Sequence, residues 1–308
     1  MTGKPLVEII DLSVDYKVHR GQSTRLIKAV RHLNLQIGAG ETLALVGESG
    51  SGKSTLGRTL VRLVRPSGGT VQFDGADVFK LRRATLKQFR ADVQVIFQNP
   101  FQSLNPKMTI GATLGEVLAV WGRDRAAVAD QSIEALLTGV HLPTSYARKF
   151  PHELSGGERQ RAAIARAMAV RPRLLIADEA VSALDVGASA RVLNLLLELR
   201  ETIGLTTLFI THDIGLARLI ADRIAVMYVG SIVDVGDPDH VFERPSHEYT
   251  KALIESRLTI EPPAAGPVPG EPQQAPGAPQ VPSPRPVPDG SGDAREVTPD
   301  SASDAADV

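Results

Sequence analysis

The feature that most constrains this chain is an apolar run, Thr42-Leu43-Ala44-Leu45-Val46, that feeds directly into Gly47-Glu48-Ser49-Gly50-Ser51-Gly52-Lys53-Ser54-Thr55. This second segment fits G-x-x-x-x-G-K-[ST], a loop whose backbone amides cradle phosphate. Gly47, Gly50 and Gly52 let the backbone curl so that its N–H groups converge on an anion. Residues 54–64 then have helical spacing, with Leu56, Leu60 and Leu63 on one side. The N-terminal end of that helix adds its dipole to the same pocket. Lys53 supplies a point charge for the outer phosphates, and the Ser54 hydroxyl is placed to ligate Mg²⁺. A Gly-rich turn with a chance lysine would not come with strand, loop and helix in this order.

Further strands follow in α/β fashion. Residues 93–97, 174–177 and 207–210 are short apolar runs, and residues 110–169 between them are helical in character. Alternation of this kind predicts a largely parallel sheet with an inserted helical subdomain. Near the end, residues 224–228 and 232–235 flank Gly230-Ser231, a hairpin signal.

Composition narrows the functional classes. With 34 basic and 35 acidic residues the chain carries no strong field toward nucleic acid. It has no cysteine, which excludes disulfides and thiolate-bound metal and agrees with a reducing cytosol. Met1 to Val7 holds no apolar stretch of signal-peptide length. No run approaches the roughly 20 apolar residues of a membrane span. The expectation is a soluble chain whose transport role, if any, needs a separate membrane partner.

Residues 262–308 contain 12 prolines, no aromatic residue, no leucine and no isoleucine, with seven acidic and two basic side chains. Such a segment buries too little to offset ordering entropy, so a disordered, acidic tail is expected from 261 to 308. Two readings stand for it: a polyproline II docking ligand, or a solvated tail without specific function. Subtracting its net charge of −5 from the total of −1 leaves +4 on the rest.

A second motif, Leu154-Ser155-Gly156-Gly157-Glu158-Arg159-Gln160, begins with a Ser-x-x-Glu capping box. Ile164, Ala165 and Met168 share one face of the helix it opens, and Arg159 and Arg166 the other. Capping explains Ser155 and Glu158. It leaves the paired glycines unexplained, since they weaken a first turn. Leu174-Leu175-Ile176-Ala177-Asp178-Glu179 is an apolar strand ending in adjacent carboxylates, which on a strand point to opposite sides.

Together these motifs resemble the ATPase subunit of an ATP-binding cassette (ABC) transporter, from about Val7 to Leu253. The resemblance implies a P-loop NTPase (RecA-like) core with an antiparallel β subdomain, and a helical subdomain at about 101–169 within a nucleotide-binding domain spanning 1–260. It implies ATP and Mg²⁺ as ligands. Gly47, Glu48, Ser49, Gly50, Ser51, Gly52, Lys53, Ser54 and Thr55 would hold the nucleotide, and Tyr16 would stack on adenine, although a surface tyrosine is the alternative there. Ser54, Asp178 and Gln98 would hold the metal. Glu179 would be the general base, His212 the γ-phosphate switch, and Gln98 the relay to the membrane partner. Ser155, Gly156 and Gly157 would reach the nucleotide of a second ATPase subunit in a homo- or heterodimer, and Ser182-Ala183-Leu184-Asp185 would contact that subunit. Where Ala180 stands the family usually has proline.

Two segments look like the dipeptide/oligopeptide/nickel branch of importers, and the chain looks like its F-type ATPase. One is Gln98-Asn99-Pro100-Phe101-Gln102-Ser103-Leu104-Asn105-Pro106. The other is His247-Glu248-Tyr249-Thr250-Lys251-Ala252-Leu253, which has Glu248 where the branch normally has proline. The resemblance implies uptake of di- or oligopeptides through two membrane permeases, with an extracytoplasmic solute-binding protein engaged indirectly and the ATPase at the cytoplasmic face of the membrane. The segment from Gln98 to Pro106 would dock a permease loop through Phe101 and Leu104. The iron–sulfur cluster of many members is excluded by the lack of cysteine. Nickel or another small solute remains the competing cargo. A non-transport ABC ATPase acting on nucleic acid is disfavoured by the single cassette and modest charge, and a dead nucleotide site by Lys53, Asp178, Glu179 and His212.

Overall fold

A computed structural model describes residues 4–20, 23–98, 103–122, 128 and 131–258. Phe101 and the Pro-rich segment lie outside the described residues, as do Asn99, Pro100 and Gln102.

In chain order the strands are β1 (Val7–Arg20), β2 (Ser23–Ile37), β3 (Thr42–Val46), β4 (Gly68–Phe73), β5 (Ala76–Asp77), β6 (Val93–Ile96), β7 (Leu174–Asp178), β8 (Thr206–Thr211), β9 (Arg223–Tyr228) and β10 (Ser231–Gly236). The α-helices are α1 (Lys53–Leu60), α2 (Arg83–Asp92), α3 (Ile110–Trp121), α4 (Ile133–Thr138), α5 (Gly156–Met168), α6 (Val186–Ile203), α7 (Ile214–Ile220), α8 (Pro238–Glu243) and α9 (Glu248–Leu258). Among the described residues they form an α/β fold with two sheets. One is antiparallel, in the order β2-β1-β4-β5. The other, in the order β10-β9-β3-β8-β7-β6, is parallel except for its β10 edge.

β3, β7 and β8 are buried along their whole length, the signature of parallel strands covered on both faces. Period-2 alternation sends their side chains into different cores. Leu43, Leu45, Leu208 and Ile210 pack with Leu56 and Leu60 of α1 and with Leu12, Val30 and Leu33 of the antiparallel sheet. From the opposite face, Leu175, Ala177 and Phe209 meet the helices of residues 110–203, and Ala44 and Val46 meet Ile214, Ala217, Val241 and Ile254. β6 pairs directly with β7, although α3, α4, α5 and two 3₁₀ turns lie between them in sequence. That is the inserted helical subdomain.

Three local expectations need correction. α1 ends at Leu60, so Leu63 falls beyond it and is 63% exposed rather than on the buried side. The hairpin turn is Val229-Gly230, with φ of 44° and 87°, and Ser231 already begins β10. Two consecutive positive-φ residues are what a tight two-residue hairpin demands. Leu104 is 2% exposed and belongs to the helical-subdomain core. A change there acts on packing, not on an exposed docking surface.

The parallel register also places the site. Val46 lies opposite Thr211, Asp178 opposite Ile210, and Ile96 opposite Ala177. The loop after β3, the carboxylates after β7, His212 and Gln98 therefore emerge at one edge, outside the carboxyl ends of the strands where open α/β sheets bind ligands.

Candidate functional site

The loop expected to cradle phosphate spans Gly47 to Gly52, and Gly47 and Gly52 are required by what surrounds them. A Cβ on Gly47 would stand 2.2 Å from the Met227 carbonyl oxygen, and one on Gly52 2.3 Å from that of Ala29. α1 opens at Gly52, with φ of 111° and no side-chain cap. The contrast with its neighbours is informative. α3, α4, α5, α6, α7 and α8 are capped by the side chains of Thr109, Ser132, Ser155, Asp185, Asp213 and Asp237. α1 has no such cap, and neither does α2 at Arg82; at α1 the uncapped turn opens onto a glycine-rich loop, the arrangement of a helix N-terminus that can bind an anion.

Lys53 is 4% exposed. Its ammonium donates to the carbonyls of Gly47 (2.6 Å) and Glu48 (2.8 Å) and to Ser51 Oγ at 3.4 Å. Burial holds its pKa below the usual lysine value, and the carboxylates of Glu179, Asp178 and Glu48 oppose that shift. Next to it, Ser54 Oγ donates to Asp178 Oδ1 at 3.0 Å. Asp178 is itself 6% exposed. Burial pushes its carboxyl above the ordinary range, partly offset by the Ser54 hydrogen bond.

Glu179 does not continue the strand. Its φ is 50°, a left-handed conformation uncommon for a residue with a Cβ. The turn is held by the Glu179 amide donating to Ile210 O at 2.9 Å and by Ser182 Oγ donating to Glu179 O at 2.9 Å. This corrects the expectation of opposite-facing neighbours on a strand: the two carboxylates are separated by a backbone turn. Glu179 accepts from Gln98 Nε2 at 2.8 Å and lies 3.7 Å from His212 Nδ1. Gln98, Glu179 and His212 thus form one cluster.

Lys53, Ser54, Thr55, Gln98 and Glu179 share a cleft of about 720 Å³ with Ser49, Gly50 and Gly52. β2 residues from Arg25 to Arg31 and the Val229-Gly230 turn form its other wall. Tyr16 is 36% exposed and reaches Thr55, its hydroxyl 3.4 Å from Oγ1.

Ser155, Gly156 and Gly157 are not brought into this cleft. Ser155 Oγ accepts from the Glu158 amide at 3.3 Å while Glu158 Oε2 accepts from the Ser155 amide at 2.8 Å, closing the capping box. That backbone hydrogen bond is the main reason the Glu158 carboxyl is held low. The glycines also have a packing reason. A Cβ on Gly157 would lie 2.8 Å from Ala188 Cβ, and one on Gly156 3.3 Å from Leu184 Cδ2. Asp185 caps α6 by accepting from the Ala188 amide at 2.7 Å.

Sequence reasoning missed part of the site. The cleft wall from β2 and the hairpin turn carries no motif. Tyr249 is another omission: the amide of Glu48 in the phosphate loop donates to its hydroxyl at 2.8 Å. The segment around Tyr249 stood out in the sequence only for its resemblance to a C-terminal motif.

A family model described as ABC transporter matches residues 30–182. Among curated proteins, the chain is 44% identical over 262 residues to the glutathione import ATP-binding protein GsiA of Pectobacterium atrosepticum, covering 84% of this chain and 42% of that one. The protein of the same name from Escherichia coli is 44% identical over 263 residues, with the same coverage. The chain thus spans 42% of the length of these relatives. Among solved structures, the dimeric ATP-binding cassette MJ0796, in a post-hydrolysis state bound to ADP and Pi, is 30% identical with a TM-score of 0.64, covering 75% of this chain and 98% of that one. CbiO1 from Clostridium perfringens, part of the ABC transporter complex cbiONQ, is 25% identical with a TM-score of 0.66, covering 83% and 97%.

Proposed function

The chain belongs to the ABC transporter family of ATP-binding cassettes, and we propose that it binds and hydrolyses MgATP to drive solute import through separate membrane permeases. The observation that carries this reading is the uncapped N-terminus of α1, set beside the buried Lys53 ammonium at the carboxyl edge of a parallel sheet. Converging amides and one fixed cation are suited to a triphosphate.

The donor set fits Mg²⁺. Ser54 Oγ and Asp178 Oδ1 are hard oxygens 3.0 Å apart, and because Gln98 Nε2 is engaged by Glu179, the Gln98 side-chain carbonyl would complete the set that holds the ion. Bound there, the ion would neutralise charge on the β- and γ-phosphates. The chain's own residues do the rest. Lys53 binds the outer phosphates. Glu179 takes the proton of the attacking water, and Gln98 holds its carboxylate in place from 2.8 Å. His212 stands beside Glu179, its Nδ1 3.7 Å from Oε1, and from there would contact the γ-phosphate of a bound nucleotide.

α5 opens outside this chain's own cleft, which leaves Ser155, Gly156 and Gly157 available to act on the nucleotide of a second ATPase subunit. No described helix is long and apolar enough to cross a membrane. The chain works peripherally at the cytoplasmic face, against two permeases, with an extracytoplasmic solute-binding protein reached through them. The cargo is a small peptide. Glutathione, named for the curated relatives, is a tripeptide and falls in that class. The test has two stages. The purified chain should bind MgATP, with binding lost in Lys53→Ala. With permeases and solute-binding protein in vesicles, it should accumulate labelled peptide or glutathione only with ATP. Absence of MgATP binding by the wild type overturns the site reading, and ATP-driven uptake of a metal ion alone overturns the cargo.

A further inference from the structure

We propose that Tyr249 is a positioning residue for the phosphate loop, its hydroxyl holding the Glu48 amide so that the loop is preset for the triphosphate. This rests on the MgATP reading above and adds to it a residue 201 positions downstream of the Glu48 it holds.

The geometry places Glu48 between two restraints. Its N–H donates to Tyr249 Oη at 2.8 Å, and its carbonyl accepts from Lys53 Nζ at 2.8 Å. Both peptide groups flanking this residue are therefore fixed before any ligand arrives. On the same side the β9–β10 turn holds the loop, because the Gly230 amide donates to Ser51 O at 2.9 Å. An amide tied to Tyr249 cannot turn toward a phosphate. The constraint decides which N–H groups of the loop face the anion and which do not.

Tyr249 is itself held firmly enough to serve as a reference point. Its ring lies 4.2 Å from that of Tyr228 between centroids. Its amide donates to His247 Nδ1 at 3.0 Å, and just upstream the Ser246 amide donates to the buried Asp234 at 2.7 Å. Ile254, on the same helix, packs with Ile214, Ala217 and Val241 against the sheet. Packing of this kind needs only the apolar ring. The hydroxyl, aimed at a loop amide, is what packing leaves over. Burial raises the phenol pKa above its ordinary value, so the group stays neutral and keeps its proton. A neutral phenol can accept from Glu48 without placing a second anion beside the triphosphate.

The test is Tyr249→Phe in the full chain, which keeps the ring and removes the acceptor. Glu48 is exposed, so water replaces part of the lost interaction. The expected effect is a KM and Kd for MgATP raised about two- to tenfold, the span of one net hydrogen bond. The turnover number should stay within about twofold, because the hydroxyl does not touch the attacking water, and the melting temperature should fall by no more than about 1–6 °C, the loss of that same hydrogen bond from the ligand-free fold. Amide exchange at Glu48 should quicken while that of the β3 amides does not. Unchanged Kd, or a fall in melting temperature without a change in Kd, overturns the positioning role. If wild type binds MgATP and Tyr249→Phe binds it equally well, this inference fails alone. If wild type does not bind, the nucleotide reading fails.

Discussion

Two helix N-termini in this molecule begin with glycine-rich sequence, and they are built to opposite rules. At α1 no side chain caps the first turn, the entry residue Gly52 has φ of 111°, and the charges around it, Lys53 and Asp178, are buried and shifted against their charged forms. At α5 the first turn is satisfied from within: Ser155 and Glu158 close a reciprocal capping box, and Gly157 packs against Ala188. The first site holds polar groups in environments that burial penalises, which a bound nucleotide and metal would relieve. The second is locally complete and stable without a ligand. A site that must bind before anything else happens is left unsatisfied. On the proposed reading α5 completes a second subunit's site, and a helix in that role has to fold and persist alone, so it carries its own caps.

The hardest test of this contrast is Glu179→Gln. The left-handed turn and the Gln98 contact put the Glu179 carboxylate at the α1 site without making it part of the phosphate cradle. Glutamine can keep the hydrogen-bond position but cannot take a proton. Hydrolysis should fall by about 10²- to 10⁴-fold, with MgATP affinity retained. A steady-state assay on the reconstituted complex, paired with nucleotide binding by calorimetry, separates the two. Wild-type turnover in this variant would remove Glu179 from the role of base.

Gly157→Ala probes the other helix. The added Cβ would meet Ala188 Cβ at 2.8 Å, where backbone must move. Overpacking of this kind costs about 1–3 kcal/mol, which thermal unfolding should register as a lower melting temperature. Binding of MgATP to the chain's own loop should not change. An unaltered melting temperature would mean that the glycine answers to the partner's nucleotide and not to packing.

What was legible in the sequence follows the same division. The strand–loop–helix unit of residues 42–60 and the Ser155–Glu158 box are local: each is specified by residues a turn or two apart, and periodicity or capping chemistry finds them. The parallel core strands were equally readable, since β3, β7 and β8 are short runs buried on every residue. Reading failed where tertiary contact overrode spacing. Leu63 fits the helical stripe but lies past the end of α1, and Leu104, expected to dock a permease loop, fills the helical-subdomain core. The left-handed turn at Glu179 is imposed by hydrogen bonds to Ile210 and Ser182. The tie from Glu48 to Tyr249 joins residues 201 positions apart in sequence, and no local pattern encodes it.

The smallest expected effect concerns Asp178, and its sign is the informative part. Burial is the leading influence on this carboxyl and raises its folded-state pKa above the unfolded value; the Ser54 hydrogen bond and the nearby cations only partly offset it. For a group shifted in this direction the folded state binds protons more tightly than the unfolded one. Stability is then undiminished below the unfolded pKa and falls as pH rises through the folded value. At neutral pH the ionised Asp178 is consequently a net cost to the nucleotide-free fold. Asp178→Asn keeps an oxygen that can accept from Ser54 and removes the buried charge. It should raise the nucleotide-free melting temperature at neutral pH, while weakening Mg²⁺-dependent nucleotide binding. The gain should vanish as pH falls into the ordinary carboxylate range, where wild-type Asp178 is protonated too. The same substitution at Glu158, whose folded pKa is lowered by the Ser155 amide, should go the other way: Glu158→Gln loses stability that is present above the unfolded pKa. Opposite signs from two carboxylates at two helix starts, read by thermal unfolding across pH, would establish that one helix is poised for a ligand and the other complete. Matching signs would break the distinction.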